Sequence, residues 1–171
     1  MRDEASYVEF VSARWASFFR LAFLLTGTEH AAEDLLQTAL LRAFVAWPKI
    51  QRTEAPDAYV RRILVNGAIS DGRRRGRRPE VLSERVPEPA GRGDAAQPME
   101  DVAVRDTLWP LIEALPPRQR AVVVLRYYED LSEREIAAVL GCAPGTVKSQ
   151  ASAAMRSLRA AVSALPTGDH T

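Results

Sequence analysis

Cysteine and histidine are nearly missing from this 171-residue chain, which holds one of the first and two of the second. Cys142 alone excludes an internal disulfide and any multi-cysteine metal site. His30 stands beside Glu29 near the start of a helix and reads as a solvated residue, and His170 falls in the C-terminal tail. No H-E-x-x-H, glycine-rich phosphate loop or nucleophile elbow occurs. Glu33 and Asp34 are adjacent rather than four apart, so their carboxylates diverge and suit a first helical turn better than an acid–base pair. We expect no enzyme, no catalytic residue, no metal and no cofactor. Long apolar runs are missing too. The longest, such as Leu21–Leu25 and Ala121–Leu125, are too short to span a bilayer. The opening MRDEASYVEF is acidic and polar, unlike a secretory signal. A cytoplasmic protein without membrane insertion is expected. No segment alternates with period two for long enough to build a sheet.

The net charge of +1 hides segments of opposite character. Between Tyr59 and Arg78 stand Arg61, Arg62, Arg73, Arg74, Arg75, Arg77 and Arg78 against the single acid Asp71. Glu29–Asp34 and much of Glu80–Asp101 are acidic. A local basic footprint attracts phosphate. The near-neutral whole steers poorly toward DNA. That combination points to a larger basic partner that brings the DNA.

Helical periodicity runs through the chain. A first helix, from about Ser6 to Leu25, turns Phe10, Trp15, Phe18, Leu21, Ala22 and Leu25 inward, with Gly27 ending it and Thr28 capping the next. Ala31–Trp47 carries the stripe Leu35, Leu36, Ala39, Leu40, Ala43, Phe44 and Trp47, and Pro48 is expected to stop it before a polar loop, 48–55. Pro56 opens a third helix to about Arg74, with Tyr59, Ile63, Leu64 and Ile69 as core. Asn66 and Gly67 are poor choices inside it. The Asn66 amide suits a base edge, while packing accounts for Gly67 equally well. Four prolines and scattered acids between Pro79 and Pro98 predict an extended or disordered linker. The fold class is therefore all-α, two small helical bundles over 1–78 and 101–165, joined by a flexible linker over 79–100. In the second bundle, Asp101–Leu115 is a helix and Pro116–Pro117 opens the next.

The segment Leu131–Leu158 predicts a helix-turn-helix. Ser132 and Glu135 form a capping box, Ile136, Ala137 and Leu140 share a face, Gly141 suits a left-handed C-terminal cap, and Pro144 fits a first helical turn. Val147, Ala151, Ala154 and Leu158 then share a buried face. The opposite face carries Lys148, Ser149, Ser152, Ala153, Arg156 and Arg159, a set suited to a major groove. A plain helical hairpin with a solvated cationic face is the alternative for this window taken alone.

Four stretches, in order, resemble the extracytoplasmic-function (ECF) sigma factors of bacterial RNA polymerase, close to the actinobacterial SigE-like subgroup. LLTGTEHAAEDLLQTALLRAF resembles the end of region 2.1 and region 2.2, and DAYVRRILVNGAISDGRRR resembles regions 2.3–2.4. LPPRQRAVVVLRYYEDLSEREIAAVLGC resembles region 4.1 and the start of 4.2, and GTVKSQASAAMRSLR resembles the recognition helix. Together they cover about two thirds of the chain.

The resemblance implies that Asp34, Gln37, Thr38 and Leu41 dock on the clamp helices of the largest polymerase subunit, with the flap of the second-largest subunit as a further contact. It implies that Arg61, Arg62, Asn66, Arg73 and Arg74 hold the −10 element, and that the 48–55 loop helps to form a pocket for an unstacked base. Thr146, Lys148, Ser149, Ser152 and Arg156 would read the −35 element. The linker acids Glu80, Glu84, Glu88 and Asp94 would mimic nucleic-acid charge in a basic channel. An anti-sigma factor is a partner the family often uses. Three residues depart from the pattern: Ala143 stands where relatives carry a serine cap, and Gln150 and Ala153 stand where they carry arginine. Ala143 costs the recognition helix its side-chain cap, and the fewer cations imply a weaker or less stringent −35 readout. A stand-alone helix-turn-helix repressor would need a dimer surface, and a nucleic-acid enzyme would need an acidic metal cluster. Neither is seen in the sequence.

Overall fold

Helix-stopping residues and apolar spacing divide the chain into seven helices among the described residues, 2–53, 55–77 and 102–165 of a computed structural model. They are α1 (Arg2–Thr26), α2 (Glu29–Thr53), α3 (Pro56–Arg77), α4 (Val102–Glu113), α5 (Pro117–Tyr127), α6 (Glu133–Leu140) and α7 (Pro144–Ser163). No strand occurs among the described residues. The linker expected over 79–100, with its four acids, and the tail from 166 lie outside them.

Helices α1, α2 and α3 form the first bundle. Gly27 ends α1 in the left-handed region (φ +87°), and the Thr28 hydroxyl accepts from the Ala31 amide as a cap. Phe18, Leu21, Ala22 and Leu25 are buried as expected, whereas Trp15 is 44% exposed. Tyr7 and Trp47 tie α1 to α2. The Tyr7 hydroxyl donates to the Leu40 carbonyl at 2.7 Å, and the Trp47 indole donates to the Ser6 hydroxyl at 2.9 Å. Burial raises the Tyr7 phenol above its ordinary pKa.

Pro48 does not stop α2, contrary to the sequence reading. The helix runs on to Thr53 because Trp47 and Ile50, both buried, hold the turn on either side of the proline. The Arg52 guanidinium also donates to the Pro48 carbonyl at 2.9 Å. Residues 48–53 are thus a helical turn rather than a loop. Gly67 has a packing reason, since a Cβ there would lie 2.6 Å from a Leu35 methyl.

Helices α4 to α7 form the second bundle. Ser132 and Glu135 make the expected reciprocal capping box, and Gly141 adopts φ 64°. Leu115, Val123 and Ala154 make a small buried cluster with Leu158 packed on it. The two bundles are not separate bodies. Val122, Leu125, Ile136 and Val147 belong to the same buried cluster as Leu21, Leu36, Leu64 and Val65. Helix α5 packs on α1 and α3, and α6 packs on α3.

Candidate functional site

Three surfaces carry the candidate residues. The first is on α2. Asp34, Thr38, Leu41 and Val45 recur at i, i+4, i+7 and i+11, so they form one line along the helix. The opposite side of α2 supplies Leu36, Ala39, Leu40 and Ala43 to the core, which leaves that line uncovered. Leu41 is 65% exposed and Val45 76% exposed. Gln37 and Phe44 flank them, and Phe44, expected inward, is 47% exposed, with its ring edge against Tyr7. Asp34 pairs with His30 at 3.5 Å, and the Thr38 hydroxyl returns to the Asp34 carbonyl. An apolar strip edged by a carboxylate and an amide is suited to another protein.

The second surface is on α3. Val60, Leu64, Val65, Ala68 and Ile69 are buried, so Arg62, Asn66, Arg73 and Arg74 face outward. Arg62 lies over the Tyr59 ring, 5.5 Å from its centre. Arg61 is turned elsewhere. It meets Glu129 at 2.9 Å, with side-chain exposures of 24% and 13%.

The third is the outer face of α7, where Thr146, Lys148, Ser149, Ser152 and Arg156 are all exposed and Val147 and Ala154 are buried beneath. Ser149 donates to the Thr146 carbonyl, which leaves its lone pairs outward. Ala143 is the N-cap and offers no side-chain bond, as its identity requires. Ala153 is half-buried, not on the outer face, because it falls on the flank of α7 shared with Gln150. Glu135 is held below the usual carboxylate range, first by the Ser132 backbone amide that donates to it at 2.8 Å and then by the Ser132 side chain.

Comparison with known proteins shows the family. Sigma-70 region 2 matches residues 14–78, and Sigma-70, region 4 matches residues 105–158. The RNA polymerase sigma-E factor of Streptomyces coelicolor is 37% identical over 163 residues, spanning 93% of this chain and 87% of the relative. The chain belongs to the ECF sigma factors of RNA polymerase.

A second relative, the ECF RNA polymerase sigma factor SigE of Mycolicibacterium smegmatis, is 35% identical over 90% of this chain and 60% of its own. The sigma factor RpoE of Bartonella quintana, solved in complex with the anti-sigma factor NepR, shares the fold with a TM-score of 0.66 at 23% identity. That match covers 93% of this chain and 98% of the solved one. As a sigma factor the chain binds core RNA polymerase and promoter DNA and directs transcription initiation. Region 2 comprises the α2 strip and the α3 arginines, and region 4 comprises the α7 face.

The structure brings Arg62, Asn66, Arg73 and Arg74 to one open side of α3 and sets Arg61 against region 4. The sequence reading did not place Val45 on this exposed line, although its i+4 spacing from Leu41 was the available signal. It also missed Glu129, for which no local pattern gave a sign.

Proposed function

We propose that this ECF sigma factor docks on the clamp helices of the largest polymerase subunit through Asp34, Gln37, Thr38 and Leu41, extended by Val45. In this reading Arg62, Asn66, Arg73 and Arg74 hold the −10 element, and Thr146, Lys148, Ser149, Ser152 and Arg156 read the −35 element. The observation that carries the docking assignment is the exposed Leu41–Val45 strip, an apolar surface the chain leaves uncovered beside fixed polar groups. Fully burying one such side chain contributes about 1.5–3 kcal/mol, enough for a strong hot spot.

Region 2 is proposed to span 1–78 and region 4 to span 101–165. Each reads DNA weakly by itself, since few cations face outward on α7. Held by polymerase at a fixed separation, the two become effectively intramolecular and their affinities multiply. The chain performs no bond chemistry of its own. It captures unstacked bases and offsets a few kcal/mol of unstacking per step. It acts where polymerase does, in the cytoplasm. No described helix is long and apolar enough to cross a membrane. The complex formed by the similar RpoE makes an anti-sigma factor a fitting further partner.

Titration of core polymerase with the full chain tests the docking face. Leu41→Asp should weaken binding by at least about tenfold, the equivalent of 1.4 kcal/mol, with an unchanged melting temperature. Binding equal to the parent's refutes the assignment.

A further inference from the structure

Ser70 stands on the open side of α3, among the residues assigned to the −10 element. At about 100° per residue, Arg62, Asn66, Ser70 and Arg73 fall within about 80° of one another, and all four are exposed. The other side of the helix is occupied. Leu64, Val65 and Ala68 are buried in the core, Arg61 pairs with Glu129 at 2.9 Å, and Gly72 lies so close to Pro117 that a Cβ would come 2.4 Å from its ring.

Charge is ordered along the open line. Cations stand at its two ends, Arg62 at one and Arg73 with Arg74 at the other. Arg62 and Arg73 are roughly 16 Å apart along the axis at about 1.5 Å per residue. Between them are two neutral residues that donate and accept, Asn66 and Ser70, separated by about 6 Å along the axis. Guanidinium groups suit phosphates, whose contacts fix register but carry no sequence information, whereas neutral amides and hydroxyls suit base edges. Stacked bases rise by about 3.4 Å per step. A separation of about 6 Å exceeds that step and matches neighbouring bases drawn apart by unstacking.

The Ser70 hydroxyl is not spent on its own helix. The hydroxyls of Thr26, Thr38 and Ser163 each return to the carbonyl four residues back. Among the described residues, no such bond holds the Ser70 hydroxyl. Its proton and lone pairs are open to a ligand. Helix propensity does not select serine at this exposed turn, since alanine is the better helix former.

We infer that Ser70 is a second base-reading residue for the −10 element, contacting the nucleotide next to the one that Asn66 reads. The inference rests on the proposed assignment of α3 to that element. The arginines at the ends set the register of the strand. Asn66 reads one base through its amide, and Ser70 reads the next through its hydroxyl. One hydroxyl makes a single bond where an amide makes two, so Ser70 discriminates less sharply than Asn66.

The test is transcription by holoenzyme, assembled from core polymerase and the full chain, on a promoter pool with the −10 element randomised. Sequencing the RNA products gives the base preference at each position. Ser70→Ala should flatten that preference by about threefold or more at one position, adjacent to the position that Asn66→Ala flattens. Ser70→Thr, which keeps the hydroxyl, should retain it. The salt slope of promoter binding by Ser70→Ala holoenzyme should equal the parent's, because no cation is lost. A preference unchanged in Ser70→Ala, a loss spread evenly over all positions, a flattened position not adjacent to that of Asn66, a loss not rescued by threonine or an altered salt slope would each overturn the inference. If Asn66→Ala also leaves every preference unchanged, the assignment of α3 itself fails.

Discussion

Arg73 and Arg74 are exposed on α3, next in sequence to Gly72, whose Cα faces Pro117. Each arginine that neutralises a phosphate releases condensed counterions. Arg73→Ala and Arg74→Ala should therefore each lower the salt slope of promoter binding by holoenzyme by about one. An unchanged slope would remove them from the interface. Gly67 gives a contrasting case, set by packing alone. Gly67→Ala gains helix propensity but drives a methyl into Leu35, so a net loss of about 1 kcal/mol is expected. A fall of about 2–4 °C in melting temperature would register it. The outward placement of Asp34, Gln37, Thr38, Leu41, Asn66 and the α7 polar residues was legible in the sequence because helical periodicity alone decides it. The burial of Arg61 was not. Its partner Glu129 lies 68 positions away, and only tertiary packing selects that pair.

Element boundaries followed local chemistry wherever a cap or a glycine set them. The Ser132–Glu135 box and Gly141 bracket α6 where the sequence placed them. Pro48 was misleading because two buried neighbours, Trp47 and Ile50, outweigh the missing amide near the end of α2. The α6 cap also sets an acid response. Glu135 is held below its ordinary pKa in the folded chain. Its contribution is therefore present above the unfolded carboxylate pKa and is lost as pH falls through the lower folded value. Thermal melts from neutral to acidic pH should show parent and Glu135→Gln curves converging at the acid end. A constant difference across the range would contradict the cap as its source. Ser132→Ala should cost about 1 kcal/mol, and Ala143→Ser should return part of that order at the start of α7, by the same capping logic.

For the whole molecule, two bundles with distinct sequence signatures merge into one buried cluster, so the closed packing is a property of the assembled chain. Composition foretold two helical units but not their contact, because the seam depends on Gly72, Pro117, Arg120 and Glu129, which read locally as ordinary helix ends and turns. This packing leaves the α2 strip and the α7 face exposed. Polymerase, in this account, supplies the separation and gains its grip on the α2 strip. The most direct test is promoter-dependent RNA synthesis by limiting core polymerase, comparing the parent chain with an Asp34→Ala, Gln37→Ala double variant. The account predicts robust initiation with the parent and at least about a tenfold loss with the variant, both folded alike by circular dichroism. Equal initiation by the two would contradict it.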